Sequence, residues 1–359
     1  MKKTVAWIAG LALLSSMAVA ETGKARSSRY VLDLEGNRIL INQRPIKIIG
    51  LRCSNALISD AKTDMLIDNL DAFKPYGVNT VSVYFMGSRF GDVKGYNPDA
   101  TLNPTYTARM ARILEAADAR GMIVLVGCLY WSTSRAKEGL GGWTQADANH
   151  AIASTVRWLQ SGDYRNVLVD PDNEGMAHDA TGWSIAQMID AGHAADLDCL
   201  IAYNDSDPPP PNADLLIHHS PKAPGKPWVQ TEGAPGKTTG GYWGSYSKLD
   251  GYYNYIRIGC YTQAMKQSQW TQTQEDIETH NGYVLASTWL QCAPHEGIGG
   301  PFMRPGGTAD NPAIDADVKA LQPEAGVRWW LESVRDRYGP YAPPAPRAGS
   351  GAAEPSDRP

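Results

Sequence analysis

The chain has 359 residues and a mass of 39.0 kDa, enough to bury one large hydrophobic core or two smaller ones. An apolar content of 43% with 20% charged residues is ordinary for a soluble globular enzyme. The net charge of −5 does not favour the basic surface that nucleic-acid binding needs, so we expect no nucleic-acid partner.

The first twenty residues have the pattern of a secretory signal peptide. Lys2 and Lys3 form a positive n-region, an apolar stretch runs over 5–17, and Ala18-Val-Ala20 is an A-x-A cleavage site. The stretch is too short for a membrane span, and no cysteine follows it at a lipid-attachment position. We therefore predict a secreted or periplasmic protein that keeps no membrane anchor once residues 1–20 are removed.

Strand-like and helix-like segments alternate along the rest of the chain. Residues 30–41 predict a β-hairpin around Gly36-Asn37. Eight apolar or β-branched runs are predicted strands, at 46–51, 79–85, 122–130, 167–169, 199–203, 215–217, 228–230 and 283–289. Helical spacing is seen at 65–76, 104–117, 144–159, 183–195, 249–279 and 316–338. Alternation of this kind predicts parallel strands with crossovers, and eight units suit an α/β fold of the (β/α)8 TIM-barrel class.

Two regions depart from a regular barrel. Between Cys199 and Trp228 there is room for Pro208 to Pro211 and little else, so we expect the barrel to be trimmed around units 5–6. Residues 340–359 are rich in Pro, Ala, Gly and Ser, which predicts a disordered tail after a single catalytic domain at 21–339.

The cysteines do not form a metal or redox motif. There are five, an odd number, at long and irregular spacings with no C-x-x-C pair. We favour small buried hydrophobic side chains, while one disulfide, for example between Cys128 and Cys292, stays open. His295-Glu296 offers only two adjacent ligands, so we predict neither a metal site nor a cofactor.

Two glutamates stand where a barrel keeps its catalytic groups. Glu174 and Glu232 each follow a short apolar run and are each followed by glycine. Carboxylates at the C-terminal ends of barrel strands are typically catalytic, and two facing carboxyl groups are what glycoside hydrolysis needs. Asp170 and Asp172 are rivals for the acid role, because strand alternation puts them on the same side as Glu174.

The motifs around these glutamates point to a known clan. Asp172-Asn-Glu-Gly175 ends strand four, the run from Pro227 to Glu232-Gly233 ends strand seven, and Trp289 ends strand eight. In these features the chain resembles the retaining glycoside hydrolases on (β/α)8 barrels, whose best-known members are cellulase- and mannanase-like. The resemblance covers about 46–338. It implies that Glu174 is the acid/base, that Glu232 is the nucleophile and that Trp289 lies under the sugar.

The chain also departs from that clan. Strands two and three carry Ser82, Tyr84 and Cys128 where the clan usually has an arginine and a histidine. His218-His219 resembles the clan's histidine after strand six, although the usual tyrosine is absent.

Several further residues are candidates for substrate or carboxylate contacts, with structural packing as the alternative for each. Asn173 is suited to hold the sugar 2-hydroxyl. The candidates to supply a donor that keeps Glu232 ionised are Arg52, Tyr203 and His218. Aromatic rings on which a sugar could stack are Tyr130, Trp131, Trp143 and, in the glycine-rich segment 240–246, Trp243.

The sequence thus predicts a monomeric, secreted glycoside hydrolase that cleaves a β-glycosidic bond in a poly- or oligosaccharide by retaining double displacement. The alternative is a catalytically inactive barrel that binds glycan or acts as a scaffold. An esterase lacks support, because no G-x-S-x-G nucleophile elbow is present.

Overall fold

The structure, a computed structural model, describes residues 27–88, 91–131, 137–233, 263–286, 289–290 and 328–348. Eight strands among these residues form one parallel sheet: β4 (Ile48–Arg52), β5 (Thr80–Tyr84), β6 (Ile123–Leu129), β7 (Val167–Asp172), β8 (Ala202–Tyr203), β9 (Leu215–Ile217), β10 (Trp228–Gly233) and β11 (Gly282–Leu285). Their order in the sheet is β7-β6-β5-β4-β11-β10-β9-β8. A parallel bridge between Val169 and Ile201 joins the two ends, so the predicted barrel is confirmed.

Helices lie between most of the strands. Those described are α1 (Asp60–Phe73), α2 (Pro104–Ala119), α3 (Gln145–Ser161), α4 (Met176–Thr181), α5 (Ile185–Ala195), α6 (Gln263–Thr279) and α7 (Arg328–Tyr338). Side-chain caps fix where they start: Ser59 accepts a hydrogen bond from Lys62 N, and Asn103 accepts one from Thr105 N. None of these described helices is long and apolar enough to cross a membrane.

The barrel is thin on one side, as predicted. β8 has two residues and β9 has three, and the segments that follow them, 204–214 and 218–227, contain no helix. Polar side chains hold this side together instead. The Asp214 carboxylate accepts a hydrogen bond from Ile201 N at 2.7 Å and lies 2.9 Å from His193 Nε2.

The predicted hairpin is present and gains a third strand. β1 (Leu32–Glu35), β2 (Arg38–Ile41) and β3 (Arg44–Ile46) form an antiparallel sheet. Arg44–Ile46 belongs to this sheet, so the first barrel strand starts at Ile48, two residues later than its sequence predicted. Leu32 N donates to Arg165 O at 2.8 Å, which attaches the sheet to the residues just before β7.

The start of the predicted disordered tail lies against the same end of the barrel. Tyr341 N donates to Lys74 O at 2.7 Å, and Arg347 N donates to Arg29 O at 2.9 Å. Asn42 Nδ2 donates to Ala345 O at 2.9 Å. Over 340–348 the composition therefore misled us, because backbone hydrogen bonds to the barrel fix a segment that has no periodicity of its own. The domain boundaries otherwise stay a prediction.

Three of the five cysteines behave as small buried hydrophobic residues. Cys53, Cys128 and Cys199 are free thiols in the core, and burial raises the pKa of each. Cys260 and Cys292 lie outside the described residues, so the possible disulfide stays untested.

One glycine in the barrel wall makes room for an aromatic ring. Gly127 of β6 faces Tyr84 of β5, and a Cβ at residue 127 would lie 1.9 Å from Tyr84 Cδ1. Both residues are buried, and they are partners in two neighbouring parallel strands. The hydrogen bonds between β5 and β6 therefore keep the two backbones at a fixed distance. The absence of a side chain at residue 127 is what lets the Tyr84 ring lie inside the barrel.

We expect Gly127→Ala to lower the free energy of unfolding by about 1–3 kcal/mol, because overpacking forces the Tyr84 ring aside. Urea denaturation of the variant and of the wild type measures this. Gly141→Ala is the matched control, since a Cβ at residue 141 would meet nothing within 4 Å. Equal stability of the Gly127 variant and the control would contradict this account of the packing.

Candidate active site

The predicted site residues converge where the C-terminal ends of β4, β7, β9 and β10 meet, which we call the mouth. Arg52 ends β4, and Glu232 lies on β10 one residue before its end. Asn173 and Glu174 directly follow β7, and His218 directly follows β9. The structure therefore brings together five residues that the sequence singled out separately.

A buried ion pair lies at the centre of the mouth. Arg52 Nη1 is 2.8 Å from Glu232 Oε2, and both side chains are almost fully buried. Arg52 Nη2 donates to Asn173 Oδ1 at 2.7 Å, and its guanidinium lies over the rings of Tyr84 and Tyr130, 5.0 and 5.7 Å from their centroids. Because an arginine stays charged in a protein, this cation is matched by one carboxylate, one amide oxygen and two aromatic faces.

Opposing influences act on the pKa of Glu232. Burial raises it, Arg52 and His218 lower it, and the nearby, hydrogen-bonded Glu174 carboxyl raises it further. From the sequence we expected Glu232 to need donors in order to stay ionised. The structure supplies Arg52 as a charged partner for that purpose, while burial acts in the opposite direction on the pKa of Glu232.

Glu174 is held by an unusual backbone. Its φ is 56°, in the left-handed region that non-glycine residues rarely adopt, and Gly175 follows with a φ of 64°. A Cβ at residue 175 would lie 2.5 Å from the Asp205 carboxyl group, so only glycine fits after the glutamate. Strain of this kind is concentrated at functional sites, where the surrounding structure enforces it.

Two histidines face the Glu174 carboxyl group. His218 Nε2 is 3.6 Å from Oε1, and His219 Nε2 is 3.6 Å from Oε2. On its other side, His218 Nδ1 lies 2.7 Å from Gln230 Oε1, which also accepts a hydrogen bond from Glu232 N at 3.0 Å. Gln230 therefore connects the histidine to the strand that carries Glu232.

The two rival aspartates are engaged elsewhere. Asp170 Oδ2 accepts hydrogen bonds from Tyr84 Oη at 2.7 Å and from Asn204 Nδ2 at 2.9 Å. The Asp172 carboxylate accepts hydrogen bonds from the backbone N–H groups of Ala177 and His178 at 2.9–3.0 Å. Burial raises the pKa of Asp170 to about 6 and that of Asp172 to about 8. Both aspartates are fully buried, whereas the Glu174 side chain keeps 20% of its surface exposed, so Glu174 is better placed to meet a ligand.

The remaining candidates lie at varied distances from the carboxyl pair. Tyr130 contacts Arg52 as described, and Trp131 packs against Trp183 with ring centroids 4.9 Å apart. Burial raises the pKa of Tyr203, and the nearby Asp205 and Asp207 raise it further, while its expected contact with Glu232 stays a prediction.

The contacts of the tryptophans proposed to stack on the sugar give less support for that role. Trp289 is buried and packs edge-on against Phe73 of α1, with ring centroids 5.7 Å apart. Its role under a sugar stays a prediction. Trp143 packs against Trp131, and Trp243 lies outside the described residues.

Sequence reasoning gave no role to two residues of this site, Tyr84 and Gln230, and it named His219 only together with His218. Tyr84 was noted only as a departure on strand two, yet it contacts Arg52, Asp170 and Asn173. Strand parity could have found Gln230, which lies two residues before Glu232 and therefore on the same face of β10. For His219 the signal was its place beside His218 directly after β9, although the sequence did not show which of the two rings would face Glu174.

Comparisons with known proteins agree with the fold. No protein-family profile matches the chain, and no curated protein matches it by sequence. The fold is similar to that of a β-glucanase from Saccharophagus degradans in complex with cellotetraose, with 12% identity, a TM-score of 0.52, and 89% of this chain and 98% of the glucanase covered. It is also similar to a glycoside hydrolase family 5 mannosidase from Rhizomucor miehei, with 12% identity, a TM-score of 0.51, and 86% and 96% covered. At this identity the likeness shows the (β/α)8 barrel alone.

We expect Arg52→Met to destabilise the protein by about 3–5 kcal/mol at pH 8, since it leaves Glu232 buried without its cation. Losing Arg52 removes the main influence that lowers the pKa of Glu232, so burial raises its folded-state pKa above the wild-type value. Stability then falls as pH rises between the two values, so the destabilisation should be smaller at pH 5 than at pH 8. Urea denaturation of the variant and the wild type at pH 5 and at pH 8 measures the difference in destabilisation.

Arg38→Met is the control for this experiment, because Arg38 pairs with Glu35 on the exposed hairpin. An exposed pair contributes about 0–1 kcal/mol. If Arg52→Met lowers the free energy of unfolding equally at pH 5 and at pH 8, the ion-pair explanation is contradicted.

Proposed function

We propose that this protein is a glycoside hydrolase that cleaves a β-glycosidic bond in a poly- or oligosaccharide by retaining double displacement. Glu174 is the acid/base and Glu232 is the nucleophile. The observation that carries this proposal is that the barrel strands bring two carboxyl groups to one mouth, where one of them is paired with a buried arginine.

The electrostatics support different roles for the two glutamates. Two carboxyl groups this close do not both ionise readily, so the pair retains a proton towards neutral pH. Neutralising Glu232 would leave the buried Arg52 cation without its counter-charge, which is strongly unfavourable. The proposed roles therefore assign the proton to Glu174 and the negative charge to Glu232, beside the Arg52 cation. This is the division of labour that a retaining enzyme needs before it cleaves its substrate.

The proposed reaction has two steps. The Glu174 proton passes to the glycosidic oxygen while Glu232 attacks the anomeric carbon, which gives a covalent glycosyl-enzyme and releases the leaving group. Glu174, now ionised, removes a proton from water, and this water displaces Glu232 from the sugar.

Asn173 fits a role in binding the substrate. Its Oδ1 accepts hydrogen bonds from Arg52 and Tyr84, which fixes the orientation of the amide. The amide nitrogen, which lies 4.0 Å from Met176 Sδ, is the donor that we assign to the sugar 2-hydroxyl, a contact that strengthens in the transition state. The ligand of the glucanase and the name of the mannosidase make β-glucans and β-mannans the substrates to test first. Export and the monomeric state also remain proposals.

Hydrolysis of aryl β-glucosides and β-mannosides tests the assignment. We expect Glu232→Ala to lower kcat/KM by more than about 10³-fold for every leaving group, because bond formation to the sugar is lost. Glu174→Ala should lower it by about 10²–10⁴-fold for poor leaving groups, and much less in the first step for activated ones that need no proton. Added azide should rescue both variants and give glycosyl azides of opposite anomeric configuration.

Glu275→Gln, an exposed glutamate on α6, is the control and should keep full activity. If neither Glu174→Ala nor Glu232→Ala changes kcat/KM for hydrolysis, the assignment is overturned. Binding of cellotetraose without any hydrolysis by the wild type would favour the inactive glycan-binding barrel.

A further inference from the structure

The Glu174 carboxyl group and two imidazole rings form a convergent set of ligand atoms. One ligand atom from each of Glu174, His218 and His219 lies within 4.8 Å of the others. Each carboxylate oxygen faces a different ring, and both N–O distances are 3.6 Å. The rings are nearly perpendicular, at 84°, with centroids 4.2 Å apart. The three side chains thus surround one small volume at the mouth.

The spacing suits coordination better than direct hydrogen bonding. A nitrogen-to-oxygen hydrogen bond is about 2.7–3.2 Å long, which is shorter than both of these distances. Two ligands held about 2.0–2.2 Å from a tetrahedral ion are separated by about 3.3–3.6 Å. The observed 3.6 Å separations, each to a different carboxylate oxygen, are at the upper end of that range. Since the three ligand atoms lie within 4.8 Å of one another, small side-chain movements would bring them around one ion.

The surroundings orient one ring as a ligand. Gln230 Oε1 accepts a hydrogen bond from Glu232 N, so the atom that faces His218 Nδ1 is an acceptor. His218 must then carry its proton on Nδ1, and its neutral form presents the Nε2 lone pair towards Glu174. A hydrogen bond that fixes the tautomer of a ligating histidine is typical of protein metal sites.

We propose that Glu174, His218 and His219 bind a divalent transition-metal ion, and that the bound ion inhibits the enzyme by occupying its acid/base. Two imidazoles and one carboxylate suit zinc and its neighbours rather than magnesium or calcium, which prefer oxygen ligands alone. The His219 side chain is 43% exposed, so the set can be reached from solvent.

Inhibition follows from the chemistry of Glu174. A carboxylate oxygen that coordinates a metal ion cannot hold the proton that the leaving group requires. The ion and the catalytic proton therefore compete for the same side chain. The inhibitory part rests on the proposed hydrolase function, whereas metal binding does not depend on it.

Binding is tested on the full chain with ZnCl₂ by calorimetry and with CoCl₂ by visible absorption. We expect one Zn²⁺ ion per chain and a Co²⁺ spectrum of a four- or five-coordinate site. His218→Gln and His219→Gln should each weaken Zn²⁺ binding by about tenfold or more, since each removes a ligand. His193→Gln is the matched control. It alters a histidine–carboxylate pair, with Asp214, outside the mouth, and should leave Zn²⁺ affinity unchanged.

Absence of Zn²⁺ binding by the wild type, or equal affinity in wild type and His219→Gln, would overturn the site. For the inhibitory part, Zn²⁺ should abolish aryl glycoside hydrolysis over the same concentrations at which it binds, and a chelator should restore activity. Binding without inhibition would overturn that part alone. Binding that depends on the two histidines, in a chain that hydrolyses no glycoside, would uphold the metal site and reject the proposed function.

Discussion

The Arg52–Glu232 ion pair is the constraint around which the barrel interior is organised. A buried pair survives only if its remaining polar atoms are satisfied and its surroundings are well packed. Here Asn173 accepts one guanidinium hydrogen bond, and the rings of Tyr84 and Tyr130 lie against the guanidinium. The ring of Tyr84 in turn requires Gly127 on the next strand. Residues on four strands are thus fixed by the need to accommodate one buried cation.

The mouth is also shaped by local backbone strain. Glu174 and His218 both have left-handed backbone conformations, with φ values of 56° and 44°. Such conformations cost of order 1–3 kcal/mol each for non-glycine residues and persist where the surroundings enforce them. Each of the two residues directly follows a barrel strand, so the strain turns the chain sharply at the rim. The thin side of the barrel contributes, because the short β9 brings both histidines to the rim without an intervening helix.

The sequence predicted the architecture and the carboxyl pair more reliably than the residues around them. Continuous apolar runs such as Ile123–Leu129 mark strands covered on both faces, and counting these strands placed Glu174 and Glu232 at one rim. Arg52 was found because it ends a strand. Tyr84 was undervalued, since its role depends on contacts across strands that no local pattern shows. The attachment of 340–348 was missed for the same reason, because its hydrogen bonds join residues that are more than 260 positions apart along the chain.

The surroundings of the ion pair explain why so many neutral donors crowd the barrel interior. Asp170, Asp172 and Glu232 are all buried near the mouth, and Arg52 is the buried cation among the described residues there. One guanidinium cannot balance three carboxylates, so the other two need hydrogen bonds or protons. Tyr84 and Asn204 donate to Asp170, and two backbone N–H groups at the start of α4 donate to Asp172. These neutral donors leave the Arg52 guanidinium to pair with Glu232.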